Sequence, residues 1–385
     1  MSALHNKRYW LIGIVVVLFI GFSIIANCGK RDPDVIKIGA ILPLSGDYSA
    51  LGESCKRGID IAVENNNSSN NYRHTIVKYE DSKGFANEAI NATRKLIDND
   101  RVCAIIGEIS SNATLAIAPI TTQNGVILIS PTASSPKISD LGSYVFRVCA
   151  SDIAEGNTMA IVAYKYLSIS RTAILFINNE YGIGLKDAFE EEFVNLGGKI
   201  TSSQAFGEKE YDFKTLLLRI HDSNPQAIYM PGYAGEMAII LKQARELGLH
   251  VKFLSSIDFE NPKIKELAGD AAEGVLFTAY KYDINSNNPQ IKIFVDEFMA
   301  KYKIEPDIYA ALSYDAANVL IYAINAAGTK SERIRDILGQ LNNFPGVTNN
   351  ITFDSKGDVK HAIAIKMYKE GKFNFVCEDS LSSIN

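Results

Sequence analysis

Short apolar runs alternate with longer stretches of helical period from Ile36 almost to the C-terminus, and this alternation decides the fold class. Residues 36–41 read as a strand and 51–64 as a helix, with Ile59, Ala62 and Val63 on one face. A strand at 74–79 precedes a helix at 86–97. Strands at 103–106 and 126–129 flank a helix at 114–123. Repeated strand–helix–strand units predict a parallel sheet covered on both faces. The pattern then restarts. Helices are expected at 153–167, 185–196, 213–220 and 236–247, and strands at 172–177, 200–205, 227–230 and 251–254. Two doubly wound α/β units therefore lie in series. A strand at 274–278, helices at 291–303, 310–327 and 332–341, and a strand pair at 362–369 and 372–376 follow.

In doubly wound sheets, ligands sit outside the carboxyl ends of the strands. Polar loops fall at such ends at 43–51, 108–112, 130–135, 178–181, 231–235 and 255–260. Two lobes that each present such loops could close on one ligand. The loop at 108–112 opens a helix with Ser110 and Ser111, residue types that cap helices well. A helix N-terminus also offers unpaired N–H donors and partial positive charge, which suits an anion.

Enzyme signatures are missing. The chain has no GxSxG elbow, no GxxxxGK[ST] loop and no HExxH. Five histidines are scattered outside the candidate loops, which disfavours histidine acid–base chemistry. No cofactor and no metal cluster is implied. A net charge of −5 without a basic stripe argues against nucleic acid as a partner.

The N-terminus stands apart from this globule. Lys7 and Arg8 precede an apolar stretch from Tyr9 to Asn27, the pattern of an export signal. Cys28 follows directly and resembles the lipidated cysteine of bacterial lipoproteins, although Asn27 is unusual before the cut. Residues 1–27 read as the signal and 28–34 as a polar tether. Four further cysteines, Cys55, Cys103, Cys149 and Cys377, form no CxxC pair. Cys103 and Cys149 lie in apolar runs, so buried free thiols are expected there.

One ordered series of short motifs runs from Ile36-Lys37-Ile38-Gly39 and Pro43-Leu44-Ser45-Gly46, through Ile129-Ser130-Pro131-Thr132-Ala133-Ser134, to Leu267-Ala268-Gly269-Asp270-Ala271-Ala272-Glu273-Gly274. It closes on Tyr309-Ala310-Ala311-Leu312-Ser313-Tyr314-Asp315-Ala316. Taken in order, the series resembles the branched-chain amino-acid-binding family of periplasmic solute-binding proteins. The resemblance implies two doubly wound lobes joined by three crossovers, with the ligand in the cleft. Lobe one would be 35–151 plus 280–352, and lobe two 152–279 plus 353–385. The implied partners are a small amino acid or related carboxylate or amide, the membrane subunits of an ABC permease, and the membrane itself through the lipid on Cys28. A ligand-sensing module is the alternative that the same fold allows.

Carried over singly, Ser111, Ala133 and Ser134 would hold the ligand carboxylate with help from backbone N–H groups at the helix start, and Ser110 beside them is a further candidate ligand-binding residue. Thr132 and Ser134 would offer acceptors to its amine, and Tyr181 and Tyr233 would close from lobe two. Two positions depart from the family pattern. Leu51 stands where a lobe-one tyrosine is expected, with Tyr48 as a substitute. Ile257 stands where an acid should meet the ligand ammonium, with Asp258 next to it. The cysteines of the family's lobe-one disulfide are also absent, at Gly84 and Ser110.

Overall fold

The computed structural model describes residues 35–69 and 72–381; the stretches expected to be signal and tether, and Cys28, fall outside them. The first lobe runs β1 (Val35–Leu42), α1 (Ser49–Asn67), β2 (His74–Asp81), α2 (Ala86–Arg94), β3 (Ala104–Ile106), α3 (Ser111–Gln123), β4 (Ile127–Ser130) and β5 (Val145–Arg147). The second follows with α4 (Asp152–Ile161), β6 (Arg171–Ile177), α5 (Glu180–Asn195), β7 (Lys199–Phe206), α6 (Lys214–Asp222), β8 (Ala227–Tyr229), α7 (Ala234–Glu246), β9 (Lys252–Ser255), α8 (Pro262–Ala268) and β10 (Leu276–Tyr280). Then α9 (Pro289–Tyr302), α10 (Ile308–Ala327) and α11 (Ser331–Gly339) return to the first lobe, where α10 packs along α1. A Cβ on Gly58 would lie 2.1 Å from the Ala310 carbonyl oxygen, so only glycine lets these two helices approach so closely. The small pair β11 (Phe344–Pro345) and β12 (Asn350–Ile351) precedes β13 (Ile363–Lys369) and β14 (Lys372–Phe375), which rejoin the second lobe.

The sheets have orders β2-β1-β3-β4-β5 and β14-β13-β10-β9-β8-β6-β7. Within them β1, β3, β4 and β5 pair in parallel, as do β7, β6, β8, β9 and β10. At one edge of the second sheet β13 and β14 add antiparallel strands. Side chains alternate between two apolar layers on each sheet, as the period of two requires. Ile38, Ile106 and Ile129 join one core of the first sheet, while Ile41, Ile105 and Leu128 join the other. Leu175 and Phe277 face one core of the second sheet, Ile174 and Leu276 the opposite one. Four of these elements are absent from the sequence expectation. β5 has three residues, α8 seven, and β11 and β12 two each, all too short for a periodic signal.

Three chain segments cross between the lobes and are tied to one another. The Ala150 N–H donates to the Tyr280 hydroxyl at 3.0 Å, and the His361 ring meets the Val148 carbonyl. Tyr280 and His361 pack edge to face, 5.0 Å between centroids. Phe353 and Val359 are buried in the first-lobe core, and Asp358 pairs with Arg147, so the last crossing follows residue 359.

Candidate ligand-binding cleft

Each sheet order reverses direction once, between β1 and β3 in the first lobe and between β6 and β8 in the second. Loops leaving the strands on either side of such a reversal diverge and open a crevice. The two crevices face each other across one cavity. Its walls carry Tyr48 and Leu51 from beyond β1, Ser110 to Asn112 after β3, Asn179 and Tyr181 after β6, and Tyr233 after β8.

The turn after β3 is fixed from every side. Gly107 has φ +125°, and a Cβ there would sit 2.2 Å from the Ile41 carbonyl oxygen, so no other residue fits. The fully buried Glu108 carboxylate accepts from the Ser82 hydroxyl at 2.6 Å and the Ser110 N–H at 2.7 Å. Its carbonyl accepts from the hydroxyls of Ser130 and Thr114, at 2.7 and 3.0 Å. Burial pushes its carboxyl above the usual range. Ser110 then caps α3, accepting from the Ala113 N–H at 3.3 Å. The N–H groups of Ser111 and Asn112 find no acceptor among the described residues. Ser111 Oγ accepts from the Ser135 N–H at 3.1 Å, which leaves its own O–H free to donate.

The loop after β4 rests on a buried guanidinium. Arg147, with 0% exposure, forks onto Asp358 at 2.7 and 2.9 Å. Its other donors go to the Ser134 and Ser135 carbonyls, both at 2.8 Å, and to Ser139 Oγ at 2.8 Å. All five N–H groups are used, and the backbone of Ser134 is held in place. The Thr132 hydroxyl donates to the Ile109 carbonyl at 3.0 Å, joining this loop to the first.

From the second lobe, the Tyr181 and Tyr233 rings stack, 5.7 Å apart and 9° from parallel. Tyr48 of the first lobe meets Tyr233 edge-on at 5.5 Å. The Tyr181 hydroxyl donates to Ser256 Oγ at 2.9 Å. Other contacts bridge the lobes around the cavity. Lys209 pairs with Asp47 at 2.7 Å, Lys137 with Glu180 at 2.9 Å, and the Glu180 N–H donates to Asn112 at 3.0 Å.

Of the residues singled out from sequence, Ser110, Ser111, Thr132, Ser134, Tyr181, Tyr233 and Asp258 all line this one cavity. Ala133 does not. Its methyl turns into the core with Ile105 and Leu128, and its N–H is spent on Ser130 Oγ at 3.0 Å. Tyr48 lines the cavity beside Leu51, as a substitute for the missing tyrosine would. Asp258, directly after Ile257, accepts from the Tyr309 hydroxyl, and burial raises its carboxyl.

Sequence reasoning gave no role to Tyr309 or Glu155, which also line the cavity. Glu155 lies in the first turn of α4, 3% exposed, and burial pushes its carboxyl up to about 7. The only signal for it was a pair of acids, Asp152 and Glu155, one turn apart on an otherwise apolar helix. Among the described residues that line the cavity, none is lysine, arginine or histidine.

This geometry can be set beside known proteins. A family model described as periplasmic binding protein matches residues 35–372. The leucine-, isoleucine-, valine-, threonine- and alanine-binding protein of Pseudomonas aeruginosa is 29% identical, covering 85% of this chain and 88% of that protein. The leucine binding protein LivK of Thermotoga maritima has a solved structure with a TM-score of 0.83 and 34% identity, covering 89% of this chain and 98% of that one. LivJ of Streptococcus pneumoniae, a branched-chain amino acid transporter substrate-binding protein solved with isoleucine, gives 0.81 and 26%, covering 89% and 99%. With the family model spanning both lobes and the crossovers between them, the chain belongs to the periplasmic binding protein family.

Proposed function

We propose that this chain is an exported solute-binding protein that captures an amino acid in the cleft and delivers it to the membrane subunits of an ABC permease. The names of its relatives support the solute class and the transporter. The ligand carboxylate would sit at the start of α3, taking the free N–H groups of Ser111 and Asn112 and the hydroxyls of Ser111 and Ser134. Its ammonium would point to Asp258 on the opposite wall. Tyr48, Leu51, Tyr233 and Ile257 would surround the side chain. The division into lobes would be 35–151 plus 280–359 and 152–279 plus 360–385, the last crossing falling later than the resemblance implies because Phe353 and Val359 belong to the first-lobe core, with closure by hinge bending at the crossovers. No covalent chemistry is done on the solute. Cys28 would carry the lipid that anchors the mature protein to a membrane; no helix of the described residues is long and apolar enough to cross one.

The observation that carries this reading is one cavity with unpaired N–H donors on one wall and acids on the other. A thermal-shift panel of amino acids, amides and small carboxylates tests it. Ligand at about 100 times its Kd stabilises by roughly 2.7 kcal/mol. A panel in which no amino acid raises the Tm would overturn the amino-acid reading. Tryptophan fluorescence cannot replace this assay, since the only tryptophan, Trp10, lies in the signal.

A further inference from the structure

Three carboxylates of the second lobe line the cavity: Glu208 accepts from the Asn179 amide at 2.8 Å, whereas Glu155 and Asp258 lie together with no ion pair to either among the described residues. Glu155 Oε1 accepts from the Ile257 N–H at 2.7 Å and the Thr278 hydroxyl at 2.6 Å, whereas Oε2 takes no hydrogen bond from the described residues. The Ile257 bond sets Glu155 against the turn that carries Asp258, and the two acids repel each other. A third acid, the fully buried Asp152, lies one turn from Glu155 and adds to the negative field.

The nearby cations are already committed. Arg147 spends every donor on Asp358, Ser139 and two carbonyls. Lys366 is paired with Glu260, and Lys209 with Asp47 at the mouth. Burying like charges without compensation is costly, so such a pair persists where an outside cation completes it. No group of three His, Cys, Asp or Glu side chains among the described residues could hold a metal ion. A protonated amine needs less: up to three N–H donors facing acceptors on one side.

We infer that Glu155 is a ligand-binding residue that joins Asp258 in a two-carboxylate subsite for a protonated amine on the solute. This rests on the cleft being the solute site. It goes further by adding Glu155 and by excluding solutes that lack an amine. The amine would lie between Glu155 Oε2 and the Asp258 carboxylate, and the apolar and aromatic walls would take the rest of the solute.

The test uses Glu155→Gln. Glutamine keeps an Oε1 that accepts from Ile257 and Thr278, so the variant loses charge but not its anchoring. Asp258→Asn is carried in parallel. The full mature protein is screened by thermal shift against the L-amino acids, aliphatic primary amines without a carboxylate, and the matching amine-free carboxylates. Every solute that raises the Tm is expected to carry a protonated amine, and Glu155→Gln is expected to weaken its binding at least about tenfold. An amine-free carboxylate that matches its amino counterpart would overturn the inference. So would unchanged affinity in Glu155→Gln, or a screen in which no amine-bearing solute shifts the wild type. Binding of simple amines but of no amino acid would leave this subsite standing and remove the amino-acid reading. Binding of amine-free carboxylates would spare solute capture and remove the subsite.

Discussion

The Tyr309 hydroxyl, at the start of α10 in the first lobe, donates to Oδ1 of Asp258 on the turn after β9 in the second. One hydrogen bond therefore joins the two walls of the cavity at the acid placed to meet the ligand amine. A charged hydrogen bond of this kind contributes about 1.5–3 kcal/mol. Tyr309→Phe is expected to weaken solute binding by roughly tenfold or more, because the closed form loses a cross-lobe link. Titration calorimetry measures the affinity, and small-angle scattering measures the share of closed molecules. Unchanged values in both would show that the contact plays no part in closure.

Glu155 makes stability and affinity depend on pH in a stated direction. Its carboxyl sits at about 7 in the folded chain, against 4.5 for an ordinary glutamate. Between those values the folded state holds a proton that the unfolded state has lost, so this group's contribution to stability falls as pH rises through the window. Burial raises that carboxyl most and Asp258 after β9 adds to it, while the Thr278 hydroxyl on β10 and the Ile257 N–H pull it down. Asp152 on its own helix, Tyr181 on α5, Tyr229 on β8 and Tyr280 on β10 face it and feel its charge. Glu155→Gln should gain stability over the wild type from near zero below pH 4.5 to on the order of 3 kcal/mol above pH 7. A bound ammonium favours the ionised form. Wild-type affinity for an amine-bearing solute should therefore climb from about pH 5.5 to about pH 8, and the rise should be smaller in the variant, which keeps only Asp258 at the subsite. Melting curves and titrations across that range check both.

Gly107 couples backbone conformation to the anion end of the cleft. Gly107→Ala must accommodate φ +125° and a Cβ 2.2 Å from the Ile41 carbonyl oxygen. A cost of about 2 kcal/mol or more is expected in urea unfolding. Solute affinity should fall further than stability alone explains, because Glu108 and Ser110 follow directly. An alanine variant with wild-type stability would contradict this account of the turn.

Arg147 supports the same end from beneath. Asp358→Asn leaves the buried guanidinium without its ion-pair partner and should cost about 3 kcal/mol. Chemical denaturation reads this directly. The looser Ser134 loop should also bind solute more weakly. Arg147 is fully buried, so added salt should recover little of the loss.

The repeated α/β alternation made the lobes legible in the sequence, because buried parallel strands must be apolar runs and covering helices must be amphipathic. Ser111, Ser134, Tyr181 and Tyr233 were marked by the family resemblance, and all four fall where loops leave strands and line the one cavity. Asp258 stood out only as the neighbour of Ile257. Glu155 was hidden for a physical reason. An acid on a helix normally faces water, and this one is buried only because α4 packs against β10 and the turn that holds Asp258. Ala133 erred the other way, since nothing in a polar loop marks the one methyl that turns inward. β5 escaped because three residues carry no period, yet it positions Arg147 and so the whole Ser134 loop.

The most direct measurement is titration calorimetry of the mature protein with leucine, isoleucine, valine, threonine and alanine, repeated on Ser111→Ala. At least one of these should bind saturably with one site per chain. The variant should bind it about tenfold or more weakly, with its Tm almost unchanged. Absence of binding by any of the five, or equal binding by Ser111→Ala, would contradict an amino-acid carboxylate held at the start of α3.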